Sequence, residues 1–278
     1  MDLDFNARIK PCRYDGQTVM PSDERMINYL RIAGFYGVSH LRDIRLDHSL
    51  IAALIERWRP KVHAFHLPFG EVGITLQDVE VLLELKVDGL AVTGRVKCPI
   101  EQWKELCSRL LGFTPLDRFL KQSKINSTAI PPVPELTADS TDDEVQVATR
   151  LQLMHLLGGL LFPESTNLVV NLALLPFIED FEVCGQYNWG SAVLAYLYRG
   201  LCKGADHHTS VVGGYMLLLQ LWAWERLPML RPEGVIAELN ICDLPVGASL
   251  SSSLTMHYFL NCLTIARPAK RFGQLECL

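Results

Sequence analysis

The chain has 278 residues, of which 49% are hydrophobic and 21% are charged. This balance excludes a wholly disordered chain and supplies enough apolar side chains for the core of one large domain or two small ones. The formal net charge is −5, so the overall charge does not indicate nucleic-acid binding and leaves only a local basic patch as a route to it.

The first part of the chain is predicted to be a loose segment followed by two helices. Residues 1–25 are polar and irregular, and a short helix is predicted over residues 26–32. In the stretch DHSLIAALIERWRP, apolar side chains recur at helical spacing as far as Trp58, and Asp47 is suited to cap the N-terminus. Pro60 is expected to end this second helix.

The stretch HAFHLPFGEVGITLQDVEVLLEL, at residues 63–85, predicts a β-hairpin followed by a helix. Its first part alternates as a short strand, PFGE supplies turn residues, and Thr75 and Asp78 have the spacing of a capping box. His63 and His66 would point to opposite faces of a strand, and no CxxC or HExxH motif supplies further zinc ligands. We therefore interpret them as hairpin residues, one packed and one exposed.

The middle of the chain is predicted to hold two helices around a long loop. CPIEQWKELCSRLLG predicts a helix with Pro99 in its first turn and Gly112 just beyond its end. Residues 121–142 contain three prolines and many small polar residues, which is typical of a loop. A second capping box at Thr141 opens a helix that is expected to reach about Phe162.

The C-terminal part supplies the remaining predicted helices. NLVVNLALLPFIEDF is apolar throughout and contains a proline, which predicts a buried, kinked helix. NWGSAVLAYLYRGLC, SVVGGYMLLLQLWAWERLP and TMHYFLNCLTIA predict three more helices. The predicted fold class is mainly α, with a single multi-helix globular domain and a small β hairpin.

Motifs for catalysis, cofactors and membranes are missing from the sequence. It contains no GxGxxG, GK[ST] or GxSxG motif, and no lysine has a recognisable Schiff-base setting. The eight cysteines form no CxxC pair and are expected to be reduced, mostly buried thiols. No secretory signal and no apolar run approaching the ~20 residues of a spanning helix is evident. We predict no catalytic, cofactor or metal residues and no membrane association.

Two groups of residues remain candidates for binding. The tryptophans Trp222 and Trp224 point to different faces at helical pitch, so one is expected in the core and the other at a groove or interface. Glu225 and Arg226 are expected to pair with neighbouring helices. The candidate basic patch consists of Arg42, Arg45, Arg57, Arg59 and Lys61.

Eight stretches between residues 34 and 232 resemble the plant mobile domain family. They are AGFYGV, LDHSLIAALIERWRP, HAFHLPFGEVGITLQDVEVLLELKVDGLAVTG, WKELCSRLLG, LLGGLLFP, LLPFIEDF, YNWGSAVLAYLYRGLC and LQLWAWERLP, in the family's order. The resemblance implies that the motif residues determine the fold and its interfaces. These residues are His66, Pro68, Gly70, Glu71, Thr75, Asp78, Trp189, Gly190, Trp222, Trp224, Glu225 and Arg226.

The resemblance also implies a function. It indicates a non-enzymatic nuclear scaffold that binds a protein-phosphatase-7-like partner and acts in transposable-element silencing, gene expression and meristem maintenance. The family is also called aminotransferase-like, but no lysine supports that activity here. Two alternatives stay open, namely a transposon-derived nucleic-acid-binding module that uses the basic patch and an uncharacterised enzyme with a deep polar pocket.

The resemblance divides the chain into three predicted parts. The domain is predicted at residues 26–232, between the loose segment and a divergent tail at residues 233–278. From residue 247 onward the sequence departs from the family pattern, which leads us to expect a truncation or an altered C-terminus. Within this tail, RPAKRF at residues 267–272 is a weak candidate for nuclear localisation.

Overall fold

A computed structural model describes residues 10–11, 21–41, 45–93, 98–164, 169–206 and 211–231 of the chain. The α-helices in these ranges, numbered in chain order, are α1 (Glu24–Ile32), α2 (Tyr36–Ser39), α3 (His48–Arg57), α4 (Leu76–Leu83), α5 (Ile100–Leu111), α6 (Asp142–His155), α7 (Phe181–Cys184), α8 (Trp189–Gly204) and α9 (Met216–Arg226). A π-helical segment, Leu156–Leu161, continues α6, and 3₁₀ turns span Asp117–Phe119, Ser127–Ala129, Leu172–Ile178 and Pro228–Leu230.

The strands are short and form three small sheets within the described ranges. They are β1 (Lys10–Pro11), β2 (Trp58–Arg59), β3 (Ala64–Leu67), β4 (Gly70–Val72), β5 (Leu120–Lys121), β6 (Lys124–Asn126), β7 (Val169–Asn171) and β8 (Val211–Val212). The orders are β1-β8, β2-β3-β4 and β5-β6-β7, and only β1-β8 is parallel.

One hydrophobic core connects the helices. Helix α1 packs against α6, α5 also packs against α6, and α4 packs against both α8 and α9. Every residue of α9 from Met216 to Trp224 is buried, so this helix runs through the centre of the core. The predicted fold class, a mainly α single domain with small β elements, is confirmed.

The predicted helix starts are confirmed where a polar side chain caps the backbone. The Asp47 carboxylate accepts from the N–H of Leu50, and complete capping boxes open α4 at Thr75 and α6 at Thr141. Each cap satisfies backbone donors that the first turn of a helix leaves unpaired. At the end of α5, Gly112 has φ 71°, a conformation that glycine adopts without steric cost.

A β-hairpin is present as predicted, but Gly70 and Glu71 of the predicted turn PFGE belong to its second strand, β4, and the hairpin has an additional strand. Strands β3 and β4 pair antiparallel, with Phe65 opposite Val72 and His66 opposite Glu71. Strand β2 adds Trp58 on the other side of β3, so Trp58 does not continue the helical face as predicted. Helix α3 therefore ends at Arg57, one residue before Trp58. Pro60 contributes to this end because a proline restricts the residue before it to extended conformations.

The prediction of a loop at residues 121–142 is wrong for its first residues, which belong to two strands. Strands β5 and β6 form a hairpin, in which the buried side chains of Leu120 and Ile125 lie opposite each other. The strands are two and three residues long, too short for alternation to stand out in the sequence. Irregular chain follows Ala129 and includes the three prolines, as predicted.

Two further predictions need correction. NLVVNLALLPFIEDF forms β7 and a 3₁₀ segment instead of a kinked helix, because the Asn171 side chain accepts from the N–H of Ala173 and Pro176 has no N–H to donate. The segment at residues 1–25 is not irregular throughout. Asp23 caps α1, which therefore begins at Glu24, and β1 pairs with β8.

Several predictions lie outside the described residues. They concern Arg42, the helix TMHYFLNCLTIA, the run RPAKRF and the tail at residues 233–278. The proposed boundaries of the domain at residues 26 and 232 stay predictions. No helix in the described ranges has the length and apolarity needed to cross a membrane.

Candidate functional site

The twelve motif residues lie in three parts of the fold. Four belong to the β-hairpin, six lie where α4 meets α9, and two begin α8. In that order they are His66, Pro68, Gly70 and Glu71; Thr75, Asp78, Trp222, Trp224, Glu225 and Arg226; and Trp189 and Gly190. We call the second group the α4–α9 junction.

Asp78 connects the two helices of the α4–α9 junction. Its Oδ2 accepts hydrogen bonds from the backbone N–H and the hydroxyl of Thr75, both at 2.8 Å. Its Oδ1 accepts from Nε of Arg226 at 3.0 Å and also from Nη2 of the same guanidinium. The Asp78 side chain is only 6% exposed, so these charge-assisted bonds compensate for its burial and occupy both carboxylate oxygens.

An aromatic cluster lies beneath the hairpin. The ring of Phe65 stacks on Trp222 with centroids 5.2 Å apart and contacts Trp58 at 4.9 Å. The ring of Tyr198 lies 5.1 Å from Trp58 and 5.3 Å from His63. These contacts connect the hairpin to α8 and α9, and aromatic pairs at such distances stabilise a fold beyond the area they bury.

Both tryptophans of α9 are buried, which corrects the prediction that one would lie at a groove. Trp222 is 1% exposed and Trp224 is 6% exposed, because α9 is surrounded by neighbouring elements on all sides. The predicted pairing of Arg226 with another helix is observed in its contact with Asp78. Glu225 instead pairs with Arg231 at 3.2 Å, just beyond its own helix.

The two hairpin histidines are both exposed and have different neighbours. His66 and Glu71 face each other across β3 and β4, with Nδ1 and Oε1 3.8 Å apart on an exposed surface. His63 has φ 51° in the turn before β3 and stacks on Tyr198 although it is exposed. Within the described ranges, no group of three or more His, Cys, Asp or Glu side chains is placed to hold a metal ion.

The start of α8 is fastened to the segment that follows α4. The backbone N–H of Gly190 donates to the backbone carbonyl of Lys86 at 2.8 Å. The indole N–H of Trp189 donates to the backbone carbonyl of Cys184 at 3.0 Å. A Cβ atom at Gly190 would lie 2.7 Å from Cγ1 of Val87. Only glycine permits this approach of two backbone segments.

The candidate basic patch is divided by the fold. Arg45 precedes α3 and Arg57 ends it, so the ten residues of the helix separate them by about 15 Å. The guanidinium of Arg57 donates to the carbonyl of Ala53 at 2.7 Å and lies 3.7 Å from the Glu56 carboxylate. Arg59 and Lys61 follow Arg57 at the same end, so the four members of the predicted patch that the structure describes lie at the two ends of α3.

An open groove of about 500 Å³ lies on the described surface. It is lined by residues 22–25 and 136–138. Within it, hydrogen bonds from Arg25 lower the pKa of Asp23, and the same guanidinium donates to the carbonyls of Thr137 and Ser140. Asp23 is thus bound by Arg25, and the other carboxylate of the groove, Glu24, lies 3.9 Å from Arg31.

The described cysteines with large pKa shifts are poor nucleophiles. Burial raises the pKa of Cys107 to about 11 and that of Cys184 to about 12. A thiol of this kind carries almost no thiolate at neutral pH.

The sequence did not reveal which element packs against the hairpin. Tyr198 and Cys202 of α8 have this role, because the Tyr198 hydroxyl donates to the carbonyl of Ile74 and the Trp58 indole N–H donates to Sγ of Cys202 at 3.4 Å. Burial raises the pKa of Tyr198, and the nearby negative charge of Asp78 adds to the effect. Tyr198 and Cys202 are four residues apart, which predicts that they share a face of one helix but not which element packs against that face.

The amino-acid sequence also matches known proteins. The family model described as "Plant mobile domain" matches residues 34–253. In Arabidopsis thaliana, Serine/threonine-protein phosphatase 7 long form homolog is 42% identical over 224 residues, Protein MAINTENANCE OF MERISTEMS is 34% identical over 221, and Protein MAIN-LIKE 1 is 36% identical over 213.

These alignments cover most of this chain but less than half of each relative. They include 80%, 80% and 76% of this chain and 16%, 46% and 42% of the respective relatives. No solved structure matches the chain. Because the family model covers well over half of the sequence, the chain belongs to the plant mobile domain family.

Proposed function

We propose that this chain is a non-enzymatic protein-interaction scaffold that works in the nucleus. Its proposed processes are transposable-element silencing, gene expression and meristem maintenance, and its proposed partner is a protein-phosphatase-7-like protein. The name of the relative Protein MAINTENANCE OF MERISTEMS supports meristem maintenance, whereas silencing and gene expression rest on the family resemblance. The similarity to a phosphatase 7 long form homolog is what suggests the class of partner.

One observation carries the scaffold proposal: Asp78 and Arg226 at the α4–α9 junction and Trp189 at the start of α8 use their polar groups to hold elements of the fold together. Both carboxylate oxygens of Asp78 are bound by Thr75 and Arg226, and the Trp189 indole is bound by a backbone carbonyl. An active site would instead leave such groups directed at a substrate. A rigid frame with an exposed hairpin is suited to present a surface to a partner.

The hairpin provides exposed side chains for such a surface. His66 and Glu71 are exposed on one face, and Phe69 in the turn is 42% exposed although it is a large aromatic residue. Aromatic side chains are enriched at protein interfaces, because they supply contact area with little loss of conformational entropy.

Co-expression with the phosphatase-7-like protein tests this proposal. Size-exclusion chromatography with light scattering should show one complex whose mass equals the sum of its components. Each protein run alone, and the phosphatase-7-like protein run with an unrelated helical protein, are the controls. Separate elution of the two proteins at concentrations well above the micromolar range would count against the partner.

A nuclear location has its own test. A fluorescent fusion of the chain expressed in plant cells should accumulate in the nucleus, compared with the fluorescent protein alone. Exclusion from the nucleus would contradict this part of the proposal without affecting partner binding measured in solution.

The nucleic-acid alternative rests on the exposed basic residues Arg59 and Lys61. Phosphate contacts release counterions, so DNA binding should weaken steeply as salt increases. Duplex DNA that binds in this manner, together with no protein complex, would favour the alternative. The enzyme alternative requires a closed pocket with converging polar groups, whereas the groove lined by residues 22–25 and 136–138 is open.

A further inference from the structure

The turn between β2 and β3 exposes cationic and apolar side chains beside one another. Arg59 and Lys61 are both exposed, and 56% of the Val62 side chain is accessible to solvent. The backbone N–H of Val62 donates to the carbonyl of Arg59 at 3.2 Å, which fixes the turn locally. Val62 therefore places an exposed apolar side chain directly after the cation Lys61.

Helix α8 adds two more cations at the same end of the hairpin. Tyr198 and Cys202 contact the buried ring of Trp58, the residue directly before Arg59. Arg199 and Lys203 each follow one of these two residues, and both are exposed. Because they are four residues apart, they share one face of α8 next to the face that contacts Trp58.

These four cations have no ionic partner. In the part of the chain that the structure describes, nine other Lys and Arg side chains lie within 4.0 Å of a carboxylate, whereas those of Arg59, Lys61, Arg199 and Lys203 form no ion pair. The nearby carboxylate of Glu56 lies 3.7 Å from Nη1 of Arg57, so its ion pair is with Arg57 and not with one of these four cations. A chain with a net charge of −5 thus has a local surface of opposite sign.

We propose that this surface, formed by Arg59, Lys61, Val62, Arg199 and Lys203, binds an acidic segment of a partner protein that also carries an apolar side chain. We call it the basic surface. The inference rests on the proposed function as a scaffold and assigns it a contact region. Complementary charge speeds association and selects the partner, and the apolar residue at Val62 fixes the position of the segment.

The composition of the basic surface favours a peptide over a nucleic acid. Proteins that bind single strands offer open aromatic faces to the bases, but Trp58 is 1% exposed and Tyr198 is half-buried. Lys203 also lies in the last turn of α8, where a cation offsets the partial negative charge of the helix end. Arg59, Lys61 and Arg199 therefore contribute most of the free attraction for an anion.

Fluorescence anisotropy with a synthetic peptide tests the basic surface. The probe is a fluorescein-labelled peptide of alternating Glu and Leu, and its counterpart has Gln in place of Glu. The full chain should bind the acidic peptide, and the double variant R59E/K61E should bind it about tenfold more weakly because two attractions become repulsions. The variant Val62→Ser should weaken binding without changing its salt dependence.

A second double variant with the same charge change is the matched control. R45E/K121E reverses two exposed cations that have no ion pair in the described ranges and lie outside the basic surface. It should bind the acidic peptide nearly as tightly as the unmodified chain. Equal weakening by both double variants would overturn the proposal, and so would equal binding of the Gln counterpart. Displacement of the peptide by duplex DNA would assign the surface to nucleic acid and also overturn it.

The complex with the phosphatase-7-like protein separates this inference from the proposed function. If the chain forms that complex and R59E/K61E forms it equally well, the basic surface is not the contact region and the scaffold proposal stands. If the unmodified chain forms no complex but binds the acidic peptide through these cations, the partner proposal fails and the basic surface stands.

Discussion

The α4–α9 junction and the basic surface both adjoin the same hairpin and use their cations differently. At the junction, Arg226 is bound to the buried carboxylate of Asp78 and thereby holds two helices together. On the basic surface, Arg59 and Lys61 project from a turn and bind no carboxylate among the described residues. The cation of the motif at the junction is thus bound within the fold, whereas the exposed cations of the basic surface lie beside the motif.

Among the substitutions that test this comparison, Trp222→Ala should lower the free energy of unfolding most. The buried indole contacts Phe65 beneath the hairpin, and its removal leaves a cavity at the centre of the core. We expect the free energy of unfolding to fall by about 3–5 kcal/mol. Urea denaturation followed by circular dichroism measures this loss. Trp222→Phe is the control and should recover a substantial part of it.

Asp78→Ala should have the next largest effect, a loss of about 2 kcal/mol in the free energy of unfolding. The substitution removes the capping box of α4 together with its bond to Arg226. The loss stays moderate because the Arg226 side chain is 42% exposed and regains water. A double-mutant cycle with Arg226→Ala measures the coupling between the two residues. Additive losses would show that this contact does not join the helices.

The stability of the fold should depend on pH through the buried side chain of His155. His155 is 8% exposed, its Nε2–H donates to the carbonyl of Pro131 at 2.9 Å, and burial lowers its pKa. The neutral imidazole therefore contributes stability that is fully present above its ordinary pKa of 6.5 and is lost as pH falls through the lower, folded-state value.

The variant His155→Gln measures this contribution. Urea denaturation across the acidic range should give a smaller fall in stability for the variant than for the unmodified chain. Parallel curves for the two proteins would contradict the assignment to His155. Peptide binding is then best measured above the range in which the fold begins to weaken.

The features that sequence predicted well are those determined by neighbouring residues. Asp47, Thr75 and Thr141 lie within three residues of the backbone groups they cap, so their spacing was sufficient. The strands β5 and β6 were missed because they are too short to show a pattern, and their pairing depends on a cross-strand contact between Leu120 and Ile125.

The candidate site was less accessible to sequence reasoning because it depends on contacts between distant residues. Arg226 lies 148 residues from Asp78, and Cys202 lies 144 residues from Trp58. A helical pattern specifies which side chains share a face but not the element that covers them. For this reason the patch was predicted around α3, whereas Arg199 and Lys203 approach the hairpin from α8.

Charge reversal should have opposite outcomes in the two regions, and the variant of the basic surface should show the smallest effect on stability. Arg226→Glu places a second carboxylate beside buried Asp78 and should destabilise the fold by at least as much as Asp78→Ala. R59E/K61E should change the free energy of unfolding by less than about 0.5 kcal/mol, because exposed cations without a partner contribute little to the fold. Urea denaturation measures both. A large loss in R59E/K61E would mean that the turn belongs to the structural frame, while an unchanged fold with weakened peptide binding would separate stability from recognition within a single hairpin.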